Sequence, residues 1–121
     1  MVSDHGDRFL ISELIREKIL LATMEEIPHS IAVVVDSMKD NEENPSYVDI
    51  YATIYVERDS QKKIIIGKNG ELIKSIKNKA INDIKKLLNR KVHLDLWVKV
   101  KKDWKDRPND LRILGYSLDN F

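Results

Sequence analysis

The chain has no cysteine, which rules out disulfides and thiolate metal sites, and a reducing cytoplasmic setting suits it. It also lacks any long apolar run: the longest, Ile31 to Val35, is far too short to span a bilayer. No basic-then-apolar leader opens it, so a secreted protein is not expected. Proline and glycine are scarce, at three and four residues, and no repeat or low-complexity linker divides the chain. It reads as one domain, 1–121, large enough to bury a core without staples. His5, His29 and His93 have no spacing that would gather them, and no carboxylate pair sits in an apolar setting. Neither a metal centre nor triad or acid–base catalysis is supported, so no catalytic residue and no cofactor are expected.

Charge is present in both signs but segregated. Residues 1–60 hold 5 Lys/Arg against 13 Asp/Glu, whereas residues 61–105 hold 14 against 4. A cationic block of this kind is either a solvated face or a surface that attracts a polyanion. Inside it lies the most informative stretch, Ile65-Ile66-Gly67-Lys68-Asn69-Gly70, followed by Leu72, Ile73 and Ile76 at helical spacing. Two glycines without Cβ atoms let a bulky anion approach the backbone. The helix that follows would aim its free N–H groups and positive end at that anion. With Lys68 in the turn, a phosphodiester backbone is the leading ligand. A nucleotide-hydrolysing P-loop is excluded, because no glycine lies five positions before Gly67 and Asn69 stands where Ser or Thr would bind magnesium.

Around the turn, periodicity predicts the elements. Asp7 reads as the N-cap of a first helix with Phe9, Leu10, Ile11, Leu14, Ile15, Ile19 and Ala22 as its apolar stripe, fading by Thr23, with Pro28 blocking any continuation. Ile31–Val35 reads as a buried strand and residues 39–46 as an exposed hairpin loop. The next strand alternates, with Val48, Ile50, Ala52, Ile54 and Val56 on one side and Asp49, Tyr51, Thr53, Tyr55 and Glu57 on the other. A short helix from Gln61 to Ile66 precedes the turn, and a long one from Glu71 to Asn89 follows it, with Leu72, Ile73, Ile76, Ala80, Ile84, Leu87 and Leu88 inward. A last strand spans Val92 to Val100. Pro108 and Gly115 bracket a short terminal helix docked by Leu111 and Leu114. The fold class is α+β: one small sheet with helices on one face.

The pattern Ile65-Ile66-Gly67-x-x-Gly70-x-x-Ile73-x-x-Ile76 between two helices resembles a KH domain. Strands before the turn and one after it match the type II order α-β-β-α-α-β, with a three-stranded mixed sheet, a core of about residues 7–102 and a C-terminal extension, 103–121. Further text narrows the resemblance to the C-terminal domain of the Era family of bacterial ribosome-assembly GTPases. It includes Arg8-Phe9, Glu26-Ile27-Pro28-His29-Ser30, Val56-Glu57-Arg58, Leu96-Trp97-Val98-Lys99-Val100-Lys101, Trp104 and Leu114-Gly115-Tyr116. Such proteins carry an upstream GTPase domain that this chain does not contain, so an excised, non-enzymatic, monomeric domain is expected. Its parent would be cytoplasmic or peripheral at the inner membrane.

What the resemblance implies is binding of single-stranded RNA near the 3′ end of small-subunit ribosomal RNA, in support of small ribosomal subunit assembly. Roughly four unpaired nucleotides would lie in a groove beside the turn. Gly67 and Gly70 would admit the backbone, and Lys68 would supply charge, with Asn69 adding a hydrogen-bonding side chain. Lys62, Lys63, Lys74 and Lys77 would flank the path, and Arg58 would touch a base or phosphate. Ile54, Ile66 and Ile73 would floor the groove, unless they belong to the core. Tyr51, Tyr55 and Trp97 offer a stacking surface, although in a KH-type groove aromatic stacking is minor; otherwise they cover the open sheet face or dock the terminal helix, as Trp104 is expected to do. The competing reading is a protein-interaction module that docks a GTPase domain or ribosomal proteins through the acidic half and the Tyr-bearing strand.

Overall fold

The computed structural model describes residues 5–24 and 31–102. The expected Pro28 stop, Trp104 and the Pro108–Gly115 helix lie outside these residues. Within them the order is α1 (His5–Thr23), β1 (Ile31–Asp40), β2 (Tyr47–Val56), α2 (Asp59–Ile66), a single 3-10 turn (Lys68–Gly70), α3 (Glu71–Leu88) and β3 (Lys91–Val100). The sheet order is β1-β2-β3, antiparallel between β1 and β2 and parallel between β2 and β3, which is the type II arrangement. The parallel pair requires a crossover, and α2 with α3 supplies it. Among the described residues no helix is long and apolar enough to cross a membrane.

One face of the sheet carries the core. Val48, Ile50, Ala52, Ile54 and Val56 are all at most 1% exposed, as their alternation predicts. Above them lie Ile11, Ile15 and Ile19 of α1, Ile65 of α2, and Ile76, Ala80 and Ile84 of α3, every one fully buried. The narrow i, i+4 stripes explain two corrections. Phe9 and Leu10 are exposed at 51% and 46%. At roughly 100° per residue, Leu10 is already turned a quarter circle from Ile11, and Phe9 points away. Leu87, in the last turn of α3, is likewise exposed rather than inward. A third correction concerns Asp7, which sits within the first turn of α1 rather than capping it. There its carboxylate still complements the helix dipole.

The first strand runs five residues further than its apolar run, to Asp40. A register shift between Val35 and Ser37 makes this possible, returning Met38 to the core-facing row opposite Ile50. The hydroxyl of Thr53 donates to Asp36 Oδ2 at 2.6 Å. The hairpin loop is correspondingly shorter, and Asn41 holds it by accepting from the N–H groups of Glu43 and Asn44 at 3.0 and 2.8 Å. Arg90, just past α3, donates to Asp40 Oδ1 and to the carbonyls of Pro45 and Tyr47, fastening the hairpin to the helix end.

An ion pair joins the two long helices. Lys18 Nζ lies 2.6 Å from Asp83 Oδ2, both side chains being largely covered. The hydrogen bond from Lys18 holds the Asp83 carboxyl below its ordinary value, and the same bond raises the Lys18 ammonium above its own. A carboxylate whose folded pKa is lowered stabilises the fold above its unfolded pKa, and that contribution disappears as pH falls through the folded value. The Lys18 contribution is present below the ordinary lysine pKa and disappears as pH rises past the raised one. The parent's melting temperature is therefore expected to drop more steeply than that of Asp83→Asn between about pH 5 and pH 2. Parallel melting curves across that window would show that the pair does nothing.

Candidate nucleic-acid interface

The site is built from the end of α2, the turn and the start of α3. Arg58 occupies the N-cap of α2 in extended backbone, exposed to solvent. Gln61 Oε1 accepts from the N–H groups of Glu57 and Arg58, both at 3.0 Å, which fixes the entry to the helix two residues before the expected Gln61. The N–H of Gly67 donates to Lys63 O at 2.9 Å and closes α2. The chain then turns through Gly67 (φ 76°, ψ 178°), Lys68, Asn69 (φ 57°, ψ 24°) and Gly70 (φ 72°, ψ 13°) into α3. Three of these four residues have positive φ. Asparagine is among the few side chains that tolerate the left-handed region, which accounts for its place at position 69.

The turn projects outward. Lys68 and Asn69 are exposed, while Gly67 and Gly70 are half-buried. No side chain caps the first turn of α3, so its N-terminal N–H groups and dipole are open to an anion arriving at Gly70. Lys74 is exposed one turn into α3, and Lys62 is half-buried on α2. Lys63 is exposed and forms a loose pair with Asp59 at 3.5 Å, an i, i+4 contact in open solvent that competes weakly with any phosphate. Ile66 and Ile73 are half-buried and retain surface that a base can touch.

Ile54 does not belong to this set. It is fully buried under α1–α3 on the core face of the central strand, so no ligand reaches it. Alternation showed correctly which side it faces; only the packing shows that the side is sealed.

The two glycines also differ. A Cβ added at Gly67 would lie 2.6 Å from Leu72 Cβ and 3.0 Å from its backbone nitrogen. One added at Gly70 meets nothing within 4 Å. Gly67 is therefore demanded by internal packing, and Gly70 is the one whose bare face is turned to solvent.

Lys77 is half-buried further along α3, where with Ile81 it lines a cavity of about 440 Å³ bordered by Asp49, Ile50 and Tyr51 of β2 and by Val92, His93, Leu94 and Asp95 of β3. The sequence reading missed Ile81 and the outer edge of β3. The i, i+4 step from Lys77 to Ile81 was the available signal, but it gains meaning only once α3 is known to lie along β3.

Residues 26–105 match a family model described as a KH domain. Two solved structures of Era are similar to the chain: Era of Aquifex aeolicus bound to GDP·AlF4−, and Era in complex with MgGDPNP and nucleotides 1506–1542 of 16S ribosomal RNA. Each is 42% identical with a TM-score of 0.88, and each alignment covers 98% of this chain but 39% of the Era chain. The chain thus spans about two-fifths of the length of the proteins it matches. Helix-flanked turn, mixed parallel-antiparallel sheet and family match agree, and the chain belongs to the KH domain family.

Proposed function

We propose that the chain binds single-stranded RNA through the Gly67-Lys68-Asn69-Gly70 turn and the adjoining edge of β3. The ligand is the 3′-terminal region of small-subunit ribosomal RNA, and the role is support of small ribosomal subunit assembly, within a protein that also has a GTPase domain. The carrying observation is the exposed Lys68–Asn69 pair between two positive-φ glycines, set at the uncapped start of an 18-residue helix. This arrangement offers backbone N–H groups, a helix dipole and an ammonium to a phosphate at one point. Lys62, Lys74 and Lys77 extend the positive path, and Ile66 and Ile73 give bases an apolar rest. As an edge strand, β3 has backbone groups on its outer side that can read base edges. The likeness to Era, one of whose structures contains 16S nucleotides, supports the choice of RNA.

Binding is to be measured with an oligonucleotide of nucleotides 1506–1542 and with a scrambled RNA of equal length. Neutralising three or four phosphates on a single strand gives a log–log salt slope of about −2 to −3. The native oligonucleotide should bind more tightly than the scrambled one at every salt concentration. A flat salt response would remove the phosphate-gripping turn from the account, and equal affinities would remove the ribosomal target.

A further inference from the structure

The sheet face turned away from the helices carries a group of side chains that the RNA reading does not use. Parallel register sets Tyr51 beside Asp95 and Thr53 beside Trp97. Alternation sends these residues to the side opposite the core row of Ile50, Ala52 and Ile54. Asp95 therefore lies in a corner, with the Tyr51 ring across the strands and the Trp97 indole two residues along its own. Trp97 is 61% exposed and Tyr51 40%, and Asp95 is exposed as well.

Most of the acidic groups around this corner have partners. Asp49 accepts from Asn41 Nδ2 at 3.0 and 3.3 Å and lies 3.1 Å from His93 Nδ1. Asp36 accepts from Thr53. Lys91 sits 5.6 Å over the Tyr47 ring, which stacks on His93. Asp95, by contrast, has no hydrogen bond or ion pair among the described residues, and no described cation lies over Tyr51 or Trp97. Lys99 stands beside Tyr55, on the far side of the indole from Asp95.

We propose that Asp95, Tyr51 and Trp97 form a receptor for an arginine side chain, docking a basic polypeptide segment of a protein partner on the sheet face opposite the helices. A guanidinium can lie flat on an aromatic ring while its edge donates two hydrogen bonds to a carboxylate, and few other groups meet both demands. Large exposed aromatics on this chain and arginine on a partner are the residue types enriched among interface anchors. A nucleic acid fits less well, because Asp95 would face its phosphates. Tyr51 and Asp95 also border the cavity that Lys77 lines, so a bound arginine would lie beside the proposed RNA path without touching the glycine turn.

The test is a heteronuclear NMR titration of the whole chain with a blocked Gly-Arg-Gly-Arg-Gly peptide and with its uncharged citrulline counterpart. Saturable shifts centred on the Trp97 indole and on Tyr51 are expected for the arginine peptide alone. Asp95→Asn and Trp97→Ala should each weaken binding about tenfold. Tyr51→Thr, which keeps a strand-forming residue, should weaken it too, while Lys68→Asp should leave it unchanged. Thermal melts establish that each variant is folded. Shifts that never saturate, or affinity unchanged in all three face variants, would overturn the proposal. So would loss of oligonucleotide binding in Trp97→Ala on the scale of Lys68→Asp, which would hand this face to RNA.

Discussion

Replacing Lys68 and Asn69 together by aspartate is expected to reduce RNA affinity by about a hundredfold or more while leaving the fold intact. Both side chains are exposed, and neither has a bonding partner among the described residues. The backbone tolerates the change as well. Position 68 lies in ordinary helical geometry, and aspartate, like asparagine, accepts the φ of 57° at position 69. The substitution moves the local charge by three units where a phosphate would sit, turning attraction into repulsion at the uncapped end of α3. Circular dichroism and the melting temperature should match the parent's. If the doubly substituted chain binds the 1506–1542 oligonucleotide as tightly as the parent, the turn is not the RNA site.

The second large effect separates the two glycines. Gly67→Ala places a Cβ 2.6 Å from Leu72 Cβ and asks alanine to adopt φ 76°, ψ 178°, a region open essentially to glycine alone. Backbone strain of about 1–3 kcal/mol adds to overpacking of similar size, giving a loss of about 2–6 kcal/mol. Against a total stability of roughly 5–15 kcal/mol, that is a large share, and a melting-temperature drop on the order of 10–30 °C follows. Gly70→Ala carries only the left-handed cost of about 1–2 kcal/mol, since its Cβ meets open space. That open space is where the phosphate is proposed to approach, so Gly70→Ala should lose RNA affinity out of proportion to its modest stability change. Equal melting-temperature losses in the two variants would contradict the packing at Leu72.

Much of the architecture was legible because it rests on short-range periodicity. The β2 alternation, the Ile76–Ala80–Ile84 stripe and the glycine turn are each set within a few residues of chain, and each stands where it was expected. Errors arose where a local rule met a distant neighbour. Phe9 and Leu10 are as apolar as Ile11, but only the narrow line through Ile11, Ile15 and Ile19 reaches the sheet and α3. Strand β1 outran its hydrophobic run because Met38, brought back into phase by the register shift, could still pack on the core. Ile54 carried the right residue type for a groove floor, and its exclusion comes entirely from the helices stacked above it.

Residue order alone was enough to specify the succession of elements, the glycine bend and the cationic character of the second half, since all three depend on spacing and composition along the chain. Which glycine is pressed against Leu72 and which faces open space, that Lys77 and Ile81 overlook β3, and that Asp95 has no partner among the described residues came from packing. These properties belong to pairs of residues far apart in the chain, and nothing in the order of the residues sets the distance or the angle at which they meet.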